Sequence, residues 1–302
     1  MFDLQFSKEV GAARESERPI VALESTIITH GMPFPQNLKT AQEVEESVRD
    51  AGATPATIAV IDGRIHIGLE PEQLESFAQL SSVAKLSRAD LPVIISQKKS
   101  GATTVAATMI LAHLAGIETF ATGGIGGVHH DAAESFDISA DLQELAKTPV
   151  TVICAGAKAI LDIPKTLEVL ETLGVPVISY GQDALPAFWS RDAGLNAPLR
   201  LDSPKEIAQA LATRRALGLE GGQLIANPIP QSAEIPRETM LPIIATAQAE
   251  AAKQGITGKA VTPFLLQRIF ELTEGASLTA NIALIKNNAR LAAEIALAAK
   301  SP

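Results

Sequence analysis

The chain has 302 residues, of which 46% are hydrophobic and 20% charged, with a formal net charge of −9. A chain this acidic lacks the overall field that grips a polyanion, which argues against nucleic acid as a partner and leaves small phosphorylated ligands open. No stretch reaches the ~20 apolar residues of a membrane span, a lone Cys154 cannot form an intrachain disulfide, and the N-terminal residues lack the order of a secretory signal; the expected location is the cytoplasm.

In chain order, apolar runs predict strands at 20–23, 57–61, 64–67, 92–96, 117–121, 150–154, 175–180 and 223–226. Helical periodicity predicts helices at 37–51, 71–80, 102–115, 139–147, 164–173, 203–217, 237–254, 262–274 and 277–300. Asp162 before Pro164, and Ser203-Pro204 with Glu206, are helix-start signals. Strands alternating with helices favour a parallel sheet, while Asp62-Gly63 between two runs signals a hairpin. The expected fold class is therefore α/β: a mixed, mainly parallel sheet flanked by helices, in a single domain over 1–302. Its C-terminal part, from about 203, is largely helical.

In such folds ligands bind beyond the carboxyl ends of strands, which selects loops 24–36, 97–101, 122–138, 155–163 and 227–236. Glu24 directly follows IVAL; it is either a solvated or capping carboxylate or a general acid or base. In QKKSGATTV, Ser100 and Gly101 are expected at a helix start where backbone N–H groups could meet an anion, although GxxxxGK[ST] is absent. TGGIGGVHHDAAESFDISAD has four glycines in five residues but lacks the dinucleotide-binding spacing. Its His129, His130, Asp131, Glu134, Asp137 and Asp141 offer enough oxygen and nitrogen for a Mg²⁺- or Mn²⁺-type site; equally, they are a solvated acidic stretch. NPIPQSAEIP is a stiff connector, and Asn281, Asn287 and Asn288 are either base-reading amides or helix-surface residues. In VTVICAGAKAIL, Cys154 suits a buried strand, and Lys158 stands among small aliphatic neighbours. Such a lysine either snorkels to water or is held where its amine is useful.

The motifs ALESTIITHGMPFPQN, KKSGATTVAATM, FATGGIGGVHH, FDISADL, CAGAKAILDIPKTLE, NPIP and LTANIALIKNNA, in this order from about residue 7 to 299, resemble the pseudouridine-5′-phosphate glycosidase family. The resemblance implies reversible cleavage of pseudouridine 5′-phosphate to uracil and ribose 5-phosphate, in pseudouridine catabolism. It places the nucleophile at Lys158, the proton donor at Glu24, substrate contacts at Lys85, Val105 and the triplet Ser139, Ala140 and Asp141, and a Mn²⁺ ligand at Asp137. Thr122, His129 and Asn281 lie on matched motifs and are expected to contact sugar or base. The resemblance further implies a homotrimer. The chemistry is coherent with a lysine: a carbon–carbon glycosidic bond offers no leaving oxygen to protonate, so ring opening by an amine supplies a covalent route. Attack requires a neutral amine, which Ala155, Ala157, Ala159 and Ile160, or a second cation, would favour. Two alternatives share some of these features: a Schiff-base lyase or aldolase acting on another phosphosugar, and a non-catalytic nucleotide sensor.

Overall fold

The computed structural model describes residues 3–256 and 258–300. Its strands are β1 (Leu4–Phe6), β2 (Ile20–Leu23), β3 (Thr54–Ile61), β4 (Arg64–Ile67), β5 (Ala84–Leu86), β6 (Gly101–Thr103), β7 (Thr119–Ala121), β8 (Thr151–Cys154), β9 (Val177–Tyr180), β10 (Leu199–Leu201) and β11 (Gln223–Ala226). The helices are α1 (Lys8–Glu15), α2 (Thr26–His30), α3 (Gln36–Asp50), α4 (Pro71–Ala78), α5 (Leu91–Ser96), α6 (Val105–Leu114), α7 (Ala132–Ser135), α8 (Ala140–Lys147), α9 (Ile163–Thr172), α10 (Pro204–Ala216), α11 (Arg237–Lys253), α12 (Val261–Leu272) and α13 (Ala276–Lys300).

The strands form one sheet in the order β1-β4-β3-β2-β7-β8-β11-β9-β10, with β5 and β6 branching from β3. Pairing is parallel except where β3 meets β4 and β6. This is the expected mixed sheet, and the antiparallel β3–β4 pair turns at Asp62-Gly63. Both turn residues have positive φ, 51° and 74°, the backbone that a two-residue hairpin with matching twist requires. Gly63 has no substitute there, since a Cβ would lie 2.6 Å from the Ile95 carbonyl oxygen.

The central strands β2, β7, β8 and β11 are almost wholly buried, as continuous apolar runs in parallel sheets are. Ile58, Phe120, Ile153 and Ile225 have essentially no exposure, and each such side chain contributes roughly 1.5–3 kcal/mol on burial. Helix α13 lies over β2, β7 and β8. Its buried Ala280, Ala289, Ala292, Ala293 and Ala296 leave room for close approach to the strands. Helix α6 is buried around most of its circumference, from Val105 through Met109 and at Leu111 and Ala112. Among the described residues no helix is long and apolar enough to cross a membrane.

Two expectations are corrected. Residues 92–96 are not a strand but most of α5. Asp90 and Pro92 open that helix, Ile94 N–H donates to Asp90 O, and Val93 is half exposed. The short strand that follows is β6, whose Gly101 and Ala102 pair with Val60 and Ala59. The helix expected at 102–115 accordingly starts at Val105, capped by the Thr104 hydroxyl, which accepts from Ala107 N–H at 3.4 Å. Ser100 therefore lies away from the helix start, held at the hairpin, where its hydroxyl accepts from Asp62 N–H at 3.0 Å.

Candidate active site

Because β2, β7, β8 and β11 run parallel and adjacent, their carboxyl ends share one edge of the sheet. Four of the segments selected by the sequence begin there: Glu24 after β2, Thr122 after β7, Ala155–Lys158 after β8, and Asn227 after β11. At the first junction the half-buried Glu24 carboxylate accepts from both the Thr26 and the Thr122 hydroxyls. Thr26 is two residues away, Thr122 ninety-eight. The carboxylate is thus oriented by one local donor and one set by strand pairing.

The neighbouring loops are zipped together by backbone hydrogen bonds. Ile125 N–H donates to Gly156 O at 3.2 Å, Lys158 N–H to Ile125 O at 3.1 Å, and Asp162 N–H to Val128 O at 2.9 Å. The glycine-rich segment is close-packed against this partner. A Cβ on Gly126 would stand 2.3 Å from Ser139 Oγ, and one on Gly124 would stand 2.7 Å from the Phe188 ring. Lys158 follows on this rail, half-buried between Ala157 and Ile160, and no carboxylate pairs with its amine among the described residues.

Asp141 lies in α8, 7% exposed, with its carboxylate bridging two loops. Oδ1 accepts from Ala106 N–H at 3.0 Å and Oδ2 from Gly126 N–H at 2.8 Å. It therefore pins the start of α6, and with it Val105, to the glycine segment. Ser139 caps α8, its hydroxyl accepting from Asp141 N–H at 3.2 Å, and Ala140 is exposed. Ser25 completes the connection on the other side: its hydroxyl accepts from Thr103 N–H at 2.9 Å, joining the end of β6 to the residue after Glu24. Lys85 on β5 pairs in register with Ala102. Burial and the nearby Lys85 ammonium hold the His30 imidazole below its ordinary pKa, although its bond to the Val83 backbone acts the other way.

The acidic stretch after the glycines does not gather into a cage. Among the described residues no three His, Cys, Asp or Glu side chains converge. His129 Nε2 stands 4.0 Å from Asp137 Oδ2, His130 turns to Asp162, and Asp141 is engaged internally. Asp131 and Glu134 are exposed, and the donors that stand close together are one partly exposed carboxylate and one imidazole, a set that a hard divalent ion accepts when water completes its shell. Asn281 lies on α13, and its Oδ1 accepts from the buried Trp189 indole N–H at 2.7 Å. The next two turns of that helix carry Leu284, beside Gly123, and Asn288, fully buried, on the same side. Cys154 is also fully buried, and burial pushes its thiol up to about 12, so it stays an unreactive core residue.

Comparison with known proteins now places this arrangement. Residues 9–298 match the model of the indigoidine synthase A like protein family. The chain belongs to that family. Relatives named pseudouridine-5′-phosphate glycosidase include one from Jannaschia sp. (strain CCS1), 68% identical over 295 residues, and one from Paracoccus denitrificans (strain Pd 1222), 67% identical over 297 residues; each match covers 98% of both chains. The prealnumycin C-glycosynthase AlnA, solved in complex with ribulose 5-phosphate, superposes with a TM-score of 0.90 at 38% identity, covering 98% of this chain and 96% of that one. An indigoidine synthase A-like protein of Thermotoga maritima superposes with a TM-score of 0.88 at 32% identity over the same shares.

The structure joins Glu24 directly to Thr122, and joins Val105, Ser139, Asp141 and Lys158 through the glycine segment. His129 and Asp137 form a separate pair. Asn281 reaches this assembly only through the packing of α13 and Trp189. Sequence reasoning sees Thr26 only as one undiagnostic donor of loop 24–36, beside Thr29 and His30, and assigns it no role at Glu24. It also missed Asn227 and the buried state of Asn288, for which an isolated helix pattern carries no signal.

Proposed function

We propose that this protein cleaves the carbon–carbon glycosidic bond of pseudouridine 5′-phosphate reversibly, giving uracil and ribose 5-phosphate, and serves in pseudouridine catabolism. The observation that carries the reading is an oriented carboxylate, Glu24, and an amine with no carboxylate partner among the described residues, Lys158, at the ends of strands β2 and β8 on one edge of the sheet. Near-full-length kinship to glycosidases of that name supports it.

In this reading the neutral Lys158 amine attacks C1′ of the ribose, and the C1′–O4′ bond breaks as a proton from the attacking nitrogen passes to O4′. The C1′–C5 bond electrons then pass to uracil C5, which receives a proton from Glu24, leaving an iminium between Lys158 and C1′. Water adds to that carbon, one of its protons returns to Glu24, and collapse of the adduct releases ribose 5-phosphate and the free amine. One water is consumed in total, and no oxidant or reductant is needed. Two threonine donors keep the Glu24 carboxyl aimed at one place, which matters because proton transfer requires hydrogen-bond reach. Lys85, Val105 and the Ser139–Asp141 segment are assigned to holding the substrate, with Thr122, His129 and Asn281 around sugar or base. Asp137 would hold Mn²⁺ with water completing its shell. Such an ion supplies positive charge toward an anionic ligand.

The assay is free uracil quantified after incubation with pseudouridine 5′-phosphate and Mn²⁺, with Lys158→Ala in parallel. Uracil from the wild type alone supports both substrate and nucleophile, whereas equal release from both removes Lys158 from its role. No release from folded, metal-loaded wild type removes the function. Assembly as a homotrimer belongs to the same reading and is checked by light scattering on the purified protein.

A further inference from the structure

We infer that Asn288 and Asn227 form a buried amide brace that positions the proton donor Glu24 through Thr122; this rests on the function proposed above. Asn227 follows β11 and is 4% exposed, and Asn288 on α13 is wholly buried. Neither carries a charge, and their amides are used internally. Asn227 Nδ2 donates to Asn288 Oδ1 at 3.0 Å, while Asn288 Nδ2 donates to Thr122 O at 2.8 Å and to Gly123 O at 3.4 Å. The backbone continues the connection. Asn227 N–H donates to Cys154 O at 2.7 Å, Ala155 N–H to Gly123 O at 2.9 Å, and Thr122 N–H to Ile153 O at 2.9 Å.

The strand ladders stop at Ala121, Cys154 and Ala226, so beyond them the chain needs other partners to hold its direction. The two amides supply these for Thr122 and Gly123. With its N–H bound to Ile153 and its carbonyl to Asn288, Thr122 has a fixed backbone, and its hydroxyl is directed onto Glu24. Releasing the carbonyl frees the peptide to rotate and swings the hydroxyl off the carboxylate. The buried amides left unpaired also destabilise the fold, so stability alone does not separate a positioning role from a structural one.

A double-mutant cycle does. Thr122→Val keeps side-chain shape and removes the hydroxyl; Asn288→Ala removes the brace. Each is expected to lower kcat by about tenfold or more, and Asn288→Ala to leave KM within about twofold, since a small misplacement of a catalytic group costs rate. Thr122→Ser is expected to recover most of the loss. If Asn288 acts through Thr122, the double variant is no slower than Thr122→Val. Losses that multiply, or a wild-type kcat in Asn288→Ala, overturn the inference. Should Asn288→Ala not fold, Asn227→Ala, which leaves the amide donors of Asn288 in place, enters the same cycle. A folded wild type that releases no uracil overturns the proposed function instead. Hydrogen exchange on the same four proteins then judges the brace alone: faster exchange confined to the Thr122 and Ala155 N–H groups in Asn288→Ala retains it, and unchanged exchange there removes it.

Discussion

Asp141→Asn isolates the carboxylate that holds the two halves of the site together. In the native chain its two oxygens accept backbone N–H groups from Ala106 and Gly126 in a setting 7% exposed. Hydrogen bonds to a charged acceptor contribute roughly 1.5–3 kcal/mol each. Asparagine keeps one carbonyl oxygen and turns an NH₂ toward the other N–H, so one bond is lost and two donors face each other. The expected cost is about 2–4 kcal/mol. Taking an unfolding entropy of about 2.1 cal/mol/K per residue over 302 residues, Tm falls by roughly 3–6 °C. Calorimetry, with urea unfolding followed by circular dichroism, reads this directly. A Tm within about 1 °C of wild type, accompanied by a large rise in KM for pseudouridine 5′-phosphate, refutes the reasoning. The carboxylate would then serve the substrate alone, without tying the two loops together.

Other outcomes follow from the same geometry. Glu144 in α8 is 1% exposed and takes both oxygens of its carboxylate to Arg88, at 2.8 Å each. Arg88→Met leaves that carboxylate with the Thr148 hydroxyl and, since Arg88 is itself half exposed, is expected to destabilise the protein by about 1–3 kcal/mol in urea unfolding. Replacing both residues, as Arg88→Met with Glu144→Leu, is expected to recover part of this. Gly126→Ala drives a Cβ to 2.3 Å from Ser139 Oγ and 2.9 Å from Asp141 Oδ2; a loss of about 1–3 kcal/mol is expected, measured by thermal unfolding, together with slower uracil release. Cys154, buried and with its thiol pushed up to about 12, is expected to ignore a thiol-modifying disulfide reagent at pH 8 and to react within mixing time once the protein is unfolded.

The sequence by itself determined the alternation of strands and helices, the Asp62-Gly63 hairpin, and the loops that carry Glu24 and Lys158. These rest on local properties: apolar periodicity, capping residues and a turn that demands positive φ. Tertiary structure alone decided the rest. The run at 92–96 has the composition of a strand, yet the short β6 takes the place beside β3, and which segment a strand pairs with is invisible along a chain. Strands β1, β5, β6 and β10 have three residues each, too few to show a period, and exist because a partner offers its free N–H and C=O groups. Lys158 is visible as an amine among small residues, but that no acid among the described residues pairs with it depends on which loops fold back. Asn288 reads as one amide on a helix. Its burial against Thr122 is set by a contact spanning 166 positions, and burial is what turns an unremarkable side chain into a fixed pair of donors.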